Sequence, residues 1–183
     1  MDIEKHLNTD NWFNFHKFYN FISEKKDFNT FVEVGVWKGH SITYLASLLE
    51  KRDVNLYAVD LWDETYKDVS DSTAYEHKDL LFEVYKENVR RANLKNKITN
   101  IKSLSWDAAD NFEDSSVDFV FIDADHSYDS VIKDINAWLP KVKKGGIISG
   151  HDYFDTCPVK QAVDELFPNV KKYETNCWYL EKN

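Results

Sequence analysis

Glycine is scarce in this chain of 183 residues, which contains only five. The average usage of about 7% would supply more than twice that number. The five fall into two clusters, which are Gly35 with Gly39 and the group of Gly145, Gly146 and Gly150. A chain this poor in glycine is expected to retain it where a side chain does not fit or where the backbone needs a positive φ. The two clusters are therefore the first candidates for functional sites.

Cysteine and long apolar runs are also lacking. The two cysteines, Cys157 and Cys177, have no CxxC spacing and are too few for a structural zinc site or a disulfide framework, which favours a reducing compartment. No apolar run approaches the ~20 residues that span a bilayer, and the polar first ten residues contain no signal-peptide core. These features predict a cytoplasmic protein without a membrane partner.

Basic residues are outnumbered, with 23 Lys and Arg against 32 Asp and Glu and a formal net charge of −9. Nucleic-acid binding depends on Lys and Arg contacts to phosphates, so this balance predicts no nucleic-acid partner and favours a small-molecule one. The length, with 43% apolar and 30% charged residues, predicts a single domain over 1–183. Within it, 1–27 is predicted to form an N-terminal cap and 28–183 the core.

Short β-like runs alternate with longer helical ones, a pattern typical of βαβ units and a parallel sheet. The last two β-like runs, Val170–Tyr173 and Cys177–Leu180, are separated by three residues and predict an antiparallel β-hairpin. The predicted fold class is therefore α/β, with a doubly wound, mostly parallel seven-stranded sheet that ends in this hairpin. Its five other strands are predicted at Thr30–Val34, Val54–Val59, Lys97–Lys102, Val117–Ile122 and Gly146–Ser149.

The predicted helices lie between these strands. The first, 12–22, carries aromatic residues at helical spacing and is predicted to pack on its own sheet or on a second copy in a homo-oligomer. A second helix is predicted to open at Ser41, and a third to end near Ala92. The remaining helices are predicted at Ser105–Phe112, Tyr128–Leu139 and Cys157–Leu166.

Ligands of open α/β sheets bind beyond the carboxyl ends of the strands, and a glycine turn follows the first strand. Gly35 and Gly39 lie four residues apart, where they allow a tight turn into a helix and a close approach of a ligand. A dinucleotide fingerprint needs G-x-G-x-x-G, whereas this turn lacks the middle glycine and places Trp37 in the loop. The pattern favours a ligand without a pyrophosphate.

The next two strand ends carry groups that suit a nucleoside. Asp60 closes the second strand and offers two acceptors to the neighbouring hydroxyls of a ribose. Ser105 and Trp106 follow the third strand, where a hydroxyl and an indole face can flank a base. Trp106 can equally belong to the core.

Four features occur together in this sequence: the pattern of Glu33, Gly35 and Gly39, the acid Asp60, the Ser105-Trp106 turn and the terminal hairpin. In this combination the chain resembles the class I S-adenosylmethionine-dependent methyltransferases, which have a Rossmann-like fold. More narrowly, three runs are similar to bacterial O-methyltransferases that act on sugars and small metabolites. These runs are VGVWKGHS (34–41), IDADHSY (122–128) and GHDY (150–153).

The resemblance implies S-adenosyl-L-methionine as the cofactor. In the family, residues at the positions of Glu33 and of the two glycines line its methionine part, and Asp60 takes the ribose. Ser105 and Trp106 then meet the adenine. Further cofactor-binding candidates within or beside the same motifs are Trp37, Ser41, Leu61 and Asp123.

Two polar runs are predicted to meet at the rim where the acceptor would bind. They supply Asp123, Asp125, His126, His151 and Asp152. In one interpretation, Asp123 and Asp152 hold a divalent cation together with His151 or Asp125. In the other, no metal binds and His126 or His151 acts alone as the general base. Asp125, like the neighbouring Ser127, is predicted to cap the following helix rather than to react.

The resemblance adds to both interpretations. Metal-dependent relatives such as catechol O-methyltransferase bind Mg²⁺ through an Asp at the position of Asp123 and through an acid-containing pair at the position of His151 and Asp152. A catalytic lysine of those relatives falls at His126, which makes His126 the preferred base. The candidate catalytic residues are therefore His126, Asp123 and His151, and the candidate ligands of Mg²⁺ or a similar cation are Asp123, His151 and Asp152.

The predicted function is thus an S-adenosylmethionine-dependent O-methyltransferase that acts on a hydroxyl of a small molecule, such as a sugar, a phenol or a related metabolite. The alternatives are a NAD-type dehydrogenase and a non-catalytic module that binds a nucleoside cofactor. The aromatic stretch 61–66, which continues towards Tyr75 and His77, is predicted to form a substrate lid or an ordinary surface loop.

Overall fold

A computed structural model describes residues 13–62, 81–94, 97–173 and 176–183. Across these residues the sheet has seven strands, in the order β3-β2-β1-β4-β5-β7-β6, and β7 runs antiparallel to both of its neighbours while the other pairs are parallel. The predicted fold class is confirmed. The strands are β1 (Thr30–Val34), β2 (Asn55–Asp60), β3 (Ile98–Lys102), β4 (Val117–Ile122), β5 (Val142–Gly150), β6 (Lys171–Tyr173) and β7 (Cys177–Glu181).

The strand β5 is longer than the sequence predicts, because the prediction covered only Gly146–Ser149. The missed residues include Lys143, Lys144 and Gly145, which break the apolar pattern by which a buried strand is detected. Backbone pairing nevertheless continues through this stretch. Val142 pairs with Val117 of β4, and the amide of Gly145 donates to the carbonyl of Lys182 at 2.6 Å.

The helices begin and end close to the predicted positions, except for the first and for the fourth, which ends at Ala108, four residues before the predicted Phe112, and is followed by a 3₁₀-helix over Ala109–Asn111. α1 begins at His16, four residues later than predicted, and residues 13–15 before it are not helical. Trp12, the first residue of the predicted helix, lies outside the described residues. None of the helices in the described ranges is long and apolar enough to cross a membrane. Their bounds are α1 (His16–Ser23), α2 (His40–Leu48), α3 (Leu81–Arg91), α4 (Ser105–Ala108), α5 (Tyr128–Trp138) and α6 (Pro158–Leu166).

The sheet is covered on both faces. Residues of α1, α2 and α3 pack on one face, and residues of α4, α5 and α6 pack on the other. The central strand β4 shows the alternation that this requires, since Phe119 and Phe121 belong to the first layer while Val120 and Ile122 belong to the second. Because β4 is buried on both faces, it reads as a nearly continuous apolar run.

The aromatic helix α1 packs on the chain's own sheet, the first of the two predicted alternatives. The ring of Phe18 lies 5.9 Å from Phe121 on β4 and 5.2 Å from Tyr173 on β6, measured between centroids. The ring of Tyr19 lies 5.2 Å from Phe121. α1 therefore spans the sheet from the central strand to the terminal hairpin.

A buried carboxylate ties the start of β1 to β4. Asp118 is only 6% exposed, and its Oδ2 accepts the backbone amides of Asn29 and Thr30, both at 2.9 Å. The ammonium of Lys143 donates to both carboxylate oxygens of Asp118, at 2.8 and 2.9 Å. One side chain thus accepts the amide of Asn29, which precedes β1, and the amide of Thr30, which opens it.

We expect Asp118→Ala to lower the free energy of unfolding by about 2–3 kcal/mol, because two amides and an ammonium lose a charged acceptor. Asp114→Ala is the matched control. Asp114 also pairs with a lysine, Lys141, at 2.8 Å, but its side chain is 71% exposed, so little measurable loss is expected. Denaturant unfolding of both variants makes the comparison, and equal losses would contradict this role of Asp118.

Candidate functional site

The turn after β1 is crossed at close range by the loop after β4. Gly35 has a φ of +81°, and a Cβ at this position would overlap the carbonyl of Asp123 and lie 2.7 Å from the Cα of Ala124. The two loops are also joined through the strands, since the amide of Asp123 donates to the carbonyl of Val34 at 2.8 Å. Glycine at position 35 is therefore required by the approach of Asp123, as well as by the backbone angle.

The second glycine of the turn is enclosed by α3. Gly39 has a φ of +84°, and a Cβ there would lie 2.7 Å from the ring of Tyr85. The side-chain amide of Asn88, also on α3, donates to the carbonyl of Lys38 at 2.8 Å. Gly39 is the N-cap of α2, so the helix begins at His40, one residue before the predicted opening.

Asp60 is the last residue of β2, and its carboxylate holds two loops together. Its Oδ2 accepts the amide of Trp37 at 2.9 Å, and its Oδ1 accepts the amide of Trp62 at 2.8 Å. Burial raises the pKa of this carboxyl, although backbone hydrogen bonds from Trp62, Trp37, Val36 and Leu61 oppose the rise. The amides of Trp37 and Trp62 take two of the four lone pairs of this carboxylate at close range, and a ligand hydroxyl would compete for the other two with the weaker contacts from Val36 and Leu61.

Three residues with strained backbones lie at this edge of the sheet. Trp37, Trp62 and Asp152 have φ values of 49°, 41° and 56°, and they follow β1, β2 and β5. Such angles are uncommon for residues other than glycine, and when the surrounding structure maintains them they concentrate at functional sites. The indole of Trp62 also donates to the carbonyl of Trp37 at 3.1 Å, which joins the first two loops.

Glu33 precedes the glycine turn and is almost fully buried, at 1% exposure. Its Oε2 accepts the hydroxyl of Tyr19 at 2.7 Å, and its Oε1 accepts the hydroxyl of Ser41. Burial raises the pKa of Glu33 to about 8. The two hydroxyl hydrogen bonds oppose this rise, while the nearby carboxylates of Asp123 and Asp60 add to it.

Ser105 and Trp106 follow β3 as the first two residues of α4, and both are partly buried. The hydroxyl of Ser105 accepts the indole N–H of Trp138 at 3.2 Å. Burial raises the pKa of Asp134 to about 7, and the Ser105 hydroxyl opposes this rise. Trp106 is half-buried, with the ammonium of Lys133 5.0 Å from its ring centroid. It is not among the fully buried core residues.

The loops after β4 and β5 bring two acids and two histidines together. The Nε2 of His126 lies 3.1 Å from the Oδ2 of Asp152 and 3.6 Å from the Oδ1 of Asp123. The Nδ1 of His151 lies 3.4 Å from the same oxygen of Asp152 and 3.9 Å from that of Asp123. Burial alone would raise the pKa of Asp152, but the hydrogen bond of His151 and the charges of both imidazoles hold it below its ordinary value.

The two histidines differ in their surroundings. His151 is 9% exposed, its Nε2 lies 3.1 Å from the Oδ1 of Asn14, and its ring lies 4.9 Å from Phe15. The side chain of His126 is 40% exposed, so it is the more accessible imidazole to an acceptor. Donor atoms of Asp123, His126 and Asp152 all lie within 4.8 Å of one another and can hold a metal ion.

The capping prediction is wrong for Ser127, and the hydrogen bond seen at Asp125 closes a turn that precedes the helix. The carboxylate of Asp125 accepts the amide of Ser127 at 2.7 Å, just before α5. Ser127 occupies the N-cap position, but its side chain makes no capping hydrogen bond. The predicted lid falls mostly outside the described residues, which include 61 and 62 but not 63–80.

Three contacts at the site were missed by sequence reasoning. Tyr19 binds Glu33, Asn14 lies against His151, and Tyr85 encloses Gly39. Tyr19 and Tyr85 occupy apolar positions of amphipathic helices and read as ordinary core residues. Asn14 precedes the first helix without any motif. Only the tertiary arrangement distinguishes these side chains from their neighbours.

The comparisons with known proteins agree with this geometry. Residues 32–153 match the family model described as "Methyltransferase domain". This chain belongs to that methyltransferase family, as the sequence predicted. The matched range includes the glycine turn, Asp60, the Ser105-Trp106 turn and the Asp123–His126–Asp152 cluster.

The similar proteins include one viral sequence and many solved O-methyltransferases. The uncharacterized protein R132 of Acanthamoeba polyphaga mimivirus is 30% identical over 155 residues, which cover 80% of this chain and 63% of the viral protein. The O-methyltransferase NovP is 19% identical with a TM-score of 0.68, over 92% of this chain and 77% of NovP. The Bacillus cereus O-methyltransferase, solved in complex with SAH, is 16% identical with a TM-score of 0.67, over 99% of this chain and 87% of that protein.

Proposed function

We propose that this methyltransferase transfers a methyl group from S-adenosyl-L-methionine to a hydroxyl of a small molecule, such as a sugar, a phenol or a related metabolite. The supporting observation is that the Asp123–His126–Asp152 cluster lies at the carboxyl ends of neighbouring strands, against the glycine turn. An imidazole whose Nε2 is buried against two carboxylates can remove the proton of a hydroxyl at its other nitrogen, Nδ1. The O-methyltransferases among the structural neighbours favour the same reaction.

When bound, the cofactor supplies a methyl group that is already activated on a sulfonium. The chain must then bind and orient the reactants and exclude water. Asp60 accepts the ribose hydroxyls with the two lone pairs that the amides of Trp37 and Trp62 do not take, in place of the weaker contacts from Val36 and Leu61. Trp106 offers its indole face to the adenine, and Glu33 faces the methionine part from behind the glycine turn.

His126 accepts the proton of the acceptor hydroxyl at Nδ1, because its Nε2 is buried against Asp152 and Asp123. The imidazolium that forms is stabilised by Asp152 and Asp123, whose oxygens lie 3.1 and 3.6 Å from its Nε2. His151 keeps Asp152 in place from the buried side, at 3.4 Å. Asp123 also abuts Gly35, so the reaction site and the cofactor site share one loop.

A divalent cation held by Asp123, His126 and Asp152 is a second candidate for this cluster. Their donor atoms lie close enough to share one ion, and two carboxylates with one imidazole suit later divalent metals better than Mg²⁺. Such an ion would supply a positive charge that lowers the pKa of an acceptor hydroxyl. His126 then takes the place that the sequence assigned to His151 as the third ligand.

The test is a methyl-transfer assay with S-adenosylmethionine and a panel of phenols, catechols and sugars. We expect release of S-adenosylhomocysteine that depends on an acceptor, together with an acceptor 14 mass units heavier, the mass that replacing H by CH₃ adds. Running the panel before and after exhaustive chelation separates the base from the cation. Binding of S-adenosylhomocysteine without turnover on any acceptor would favour the non-catalytic alternative.

We expect Asp60→Ala to weaken S-adenosylhomocysteine binding by about 1–3 kcal/mol, the cost of leaving ribose hydroxyls without acceptors. Asp53→Ala is the control, because Asp53 is an exposed acid just before the amino end of the same strand. Calorimetric titration measures the affinities, and thermal unfolding of the unliganded variants measures the separate loss of the two loop hydrogen bonds. Unchanged affinity in Asp60→Ala would overturn the ribose assignment.

A further inference from the structure

Tyr19 connects the N-terminal helix to the cofactor site. It lies on α1, fully buried, and donates its hydroxyl to the Oε2 of Glu33 at 2.7 Å. Ser41 of α2 donates to the other oxygen of the same carboxylate. Glu33 therefore links α1, β1 and α2 through two hydroxyl groups, and both of its oxygens are occupied from within the chain.

The groups that surround Glu33 disfavour its charge. Burial is the main cause of the raised pKa of Glu33, and the acids Asp123 after β4 and Asp60 at the end of β2 add to it. Burial and, after it, the charge of Glu33 raise the pKa of Tyr85 on α3. Against burial and these carboxylates, the hydroxyls of Tyr19 on α1 and Ser41 on α2 favour the ionised form. Loss of either donor weakens this support.

We propose that Tyr19 is a positioning residue of the cofactor site, which orients Glu33 and favours its charged form for the ammonium group of the cofactor's methionine part. The proposal rests on the proposed function, in which Glu33 faces that part of the cofactor. An ammonium group attracts an ionised carboxylate and gains little from a neutral carboxyl. Tyr19 would therefore tune cofactor affinity without touching the cofactor itself.

The proposal has a defined pH dependence. With a pKa of about 8, Glu33 is mostly protonated in the unliganded protein at pH 7, so binding to its ionised form must release a proton. Affinity should then rise with pH towards the pKa of Glu33, and it should fall again once the ammonium group of the ligand loses its own proton. Removing the Tyr19 hydroxyl raises the pKa further, so the variant should bind weakly at neutral pH and recover at higher pH.

The experiment titrates the wild type, Tyr19→Phe and Tyr44→Phe with S-adenosylhomocysteine from pH 6 to pH 9. Tyr44 is the matched control, because its hydroxyl also joins α2 to α1, donating to the Oδ1 of Asn20 at 2.8 Å on the exposed side. For a rise of about one pKa unit, Tyr19→Phe should bind about tenfold more weakly at pH 7 and about twofold more weakly at pH 9. Tyr44→Phe should match the wild type throughout.

Two further measurements separate positioning from structural damage. 5′-Methylthioadenosine lacks the amino-acid part, so its affinity should be the same for Tyr19→Phe and the wild type. Glu33→Gln, which cannot ionise, should lose the rise in affinity for S-adenosylhomocysteine between pH 6 and pH 8. If Tyr19→Phe does not fold, Ser41→Ala removes the other donor and should shift the pH profile in the same direction.

The outcomes distinguish this proposal from the proposed function. A wild type that does not bind S-adenosylhomocysteine overturns both. If the wild type binds S-adenosylhomocysteine, either of two results overturns the role of Tyr19 alone. One is a loss of affinity in Tyr19→Phe that is the same at every pH, and the other is an equal loss of affinity for 5′-methylthioadenosine. A deficit that narrows as the pH rises, specific to the ligand with the ammonium group, supports it.

Discussion

Replacement of His126 by alanine is expected to lower turnover by about 10²–10⁴-fold, the usual contribution of a positioned base. The affinity for S-adenosylhomocysteine should change little, because the imidazole faces the acceptor side of the cluster and contacts Asp152 and Asp123. Turnover is measured with the best acceptor from the panel and affinity by calorimetry. His16→Ala is the control, since His16 is an exposed histidine on α1.

Chelation decides what His126 does in that reaction. If His126 removes the proton itself, exhaustive chelation leaves the wild-type rate unchanged. If His126 holds a cation with Asp123 and Asp152, chelation abolishes turnover and added metal restores it. Full activity of His126→Ala would end both assignments, and it would point to His151 as the remaining imidazole of the cluster.

Replacement of Gly35 by alanine is expected to lower the free energy of unfolding by about 3–5 kcal/mol, which is the range of severe point mutations. The added Cβ would overlap the backbone of Asp123, which cannot move aside as a flexible side chain can. Because Asp123 carries part of the reaction site, we expect turnover to fall as well. Denaturant unfolding measures the stability of the variant.

Gly145→Ala is the matched control for this variant. Gly145 also has a positive φ, +78°, but a Cβ there meets no atom within 4 Å. It therefore incurs only the backbone cost, about 1–2 kcal/mol. The difference between the two variants isolates the crowding between the two loops. Equal losses for Gly35→Ala and Gly145→Ala would show that crowding at Asp123 contributes nothing.

The parts of this fold that the sequence predicts are those in which local pattern and tertiary role agree. β4 is apolar along its length because both of its faces are buried, and the hairpin β6–β7 follows from two β-like runs with a short gap. β5 was predicted too short because Lys143 and Lys144 belong to a strand by backbone pairing alone. Pairing of this kind leaves no trace in the hydropathy of the strand.

In the candidate site, too, local sequence pattern predicts some parts and not others. The strand ends at Asp60 and Asp123 were predictable because parallel strands align their carboxyl ends at one edge. The link from Tyr19 to Glu33 spans 14 positions and joins a helix to a strand, so no local spacing encodes it. The choice between His126 and His151 also depends on exposure, 40% against 9% for their side chains, which the sequence does not contain.

The most direct test of the account is a calorimetric titration of the wild-type protein with S-adenosylhomocysteine and, separately, with NADH. The glycine turn has no middle glycine for a pyrophosphate, and Asp60 at the end of β2 suits a ribose. We therefore predict saturable binding of S-adenosylhomocysteine at one site and no binding of NADH. Binding of NADH without binding of S-adenosylhomocysteine would contradict the account.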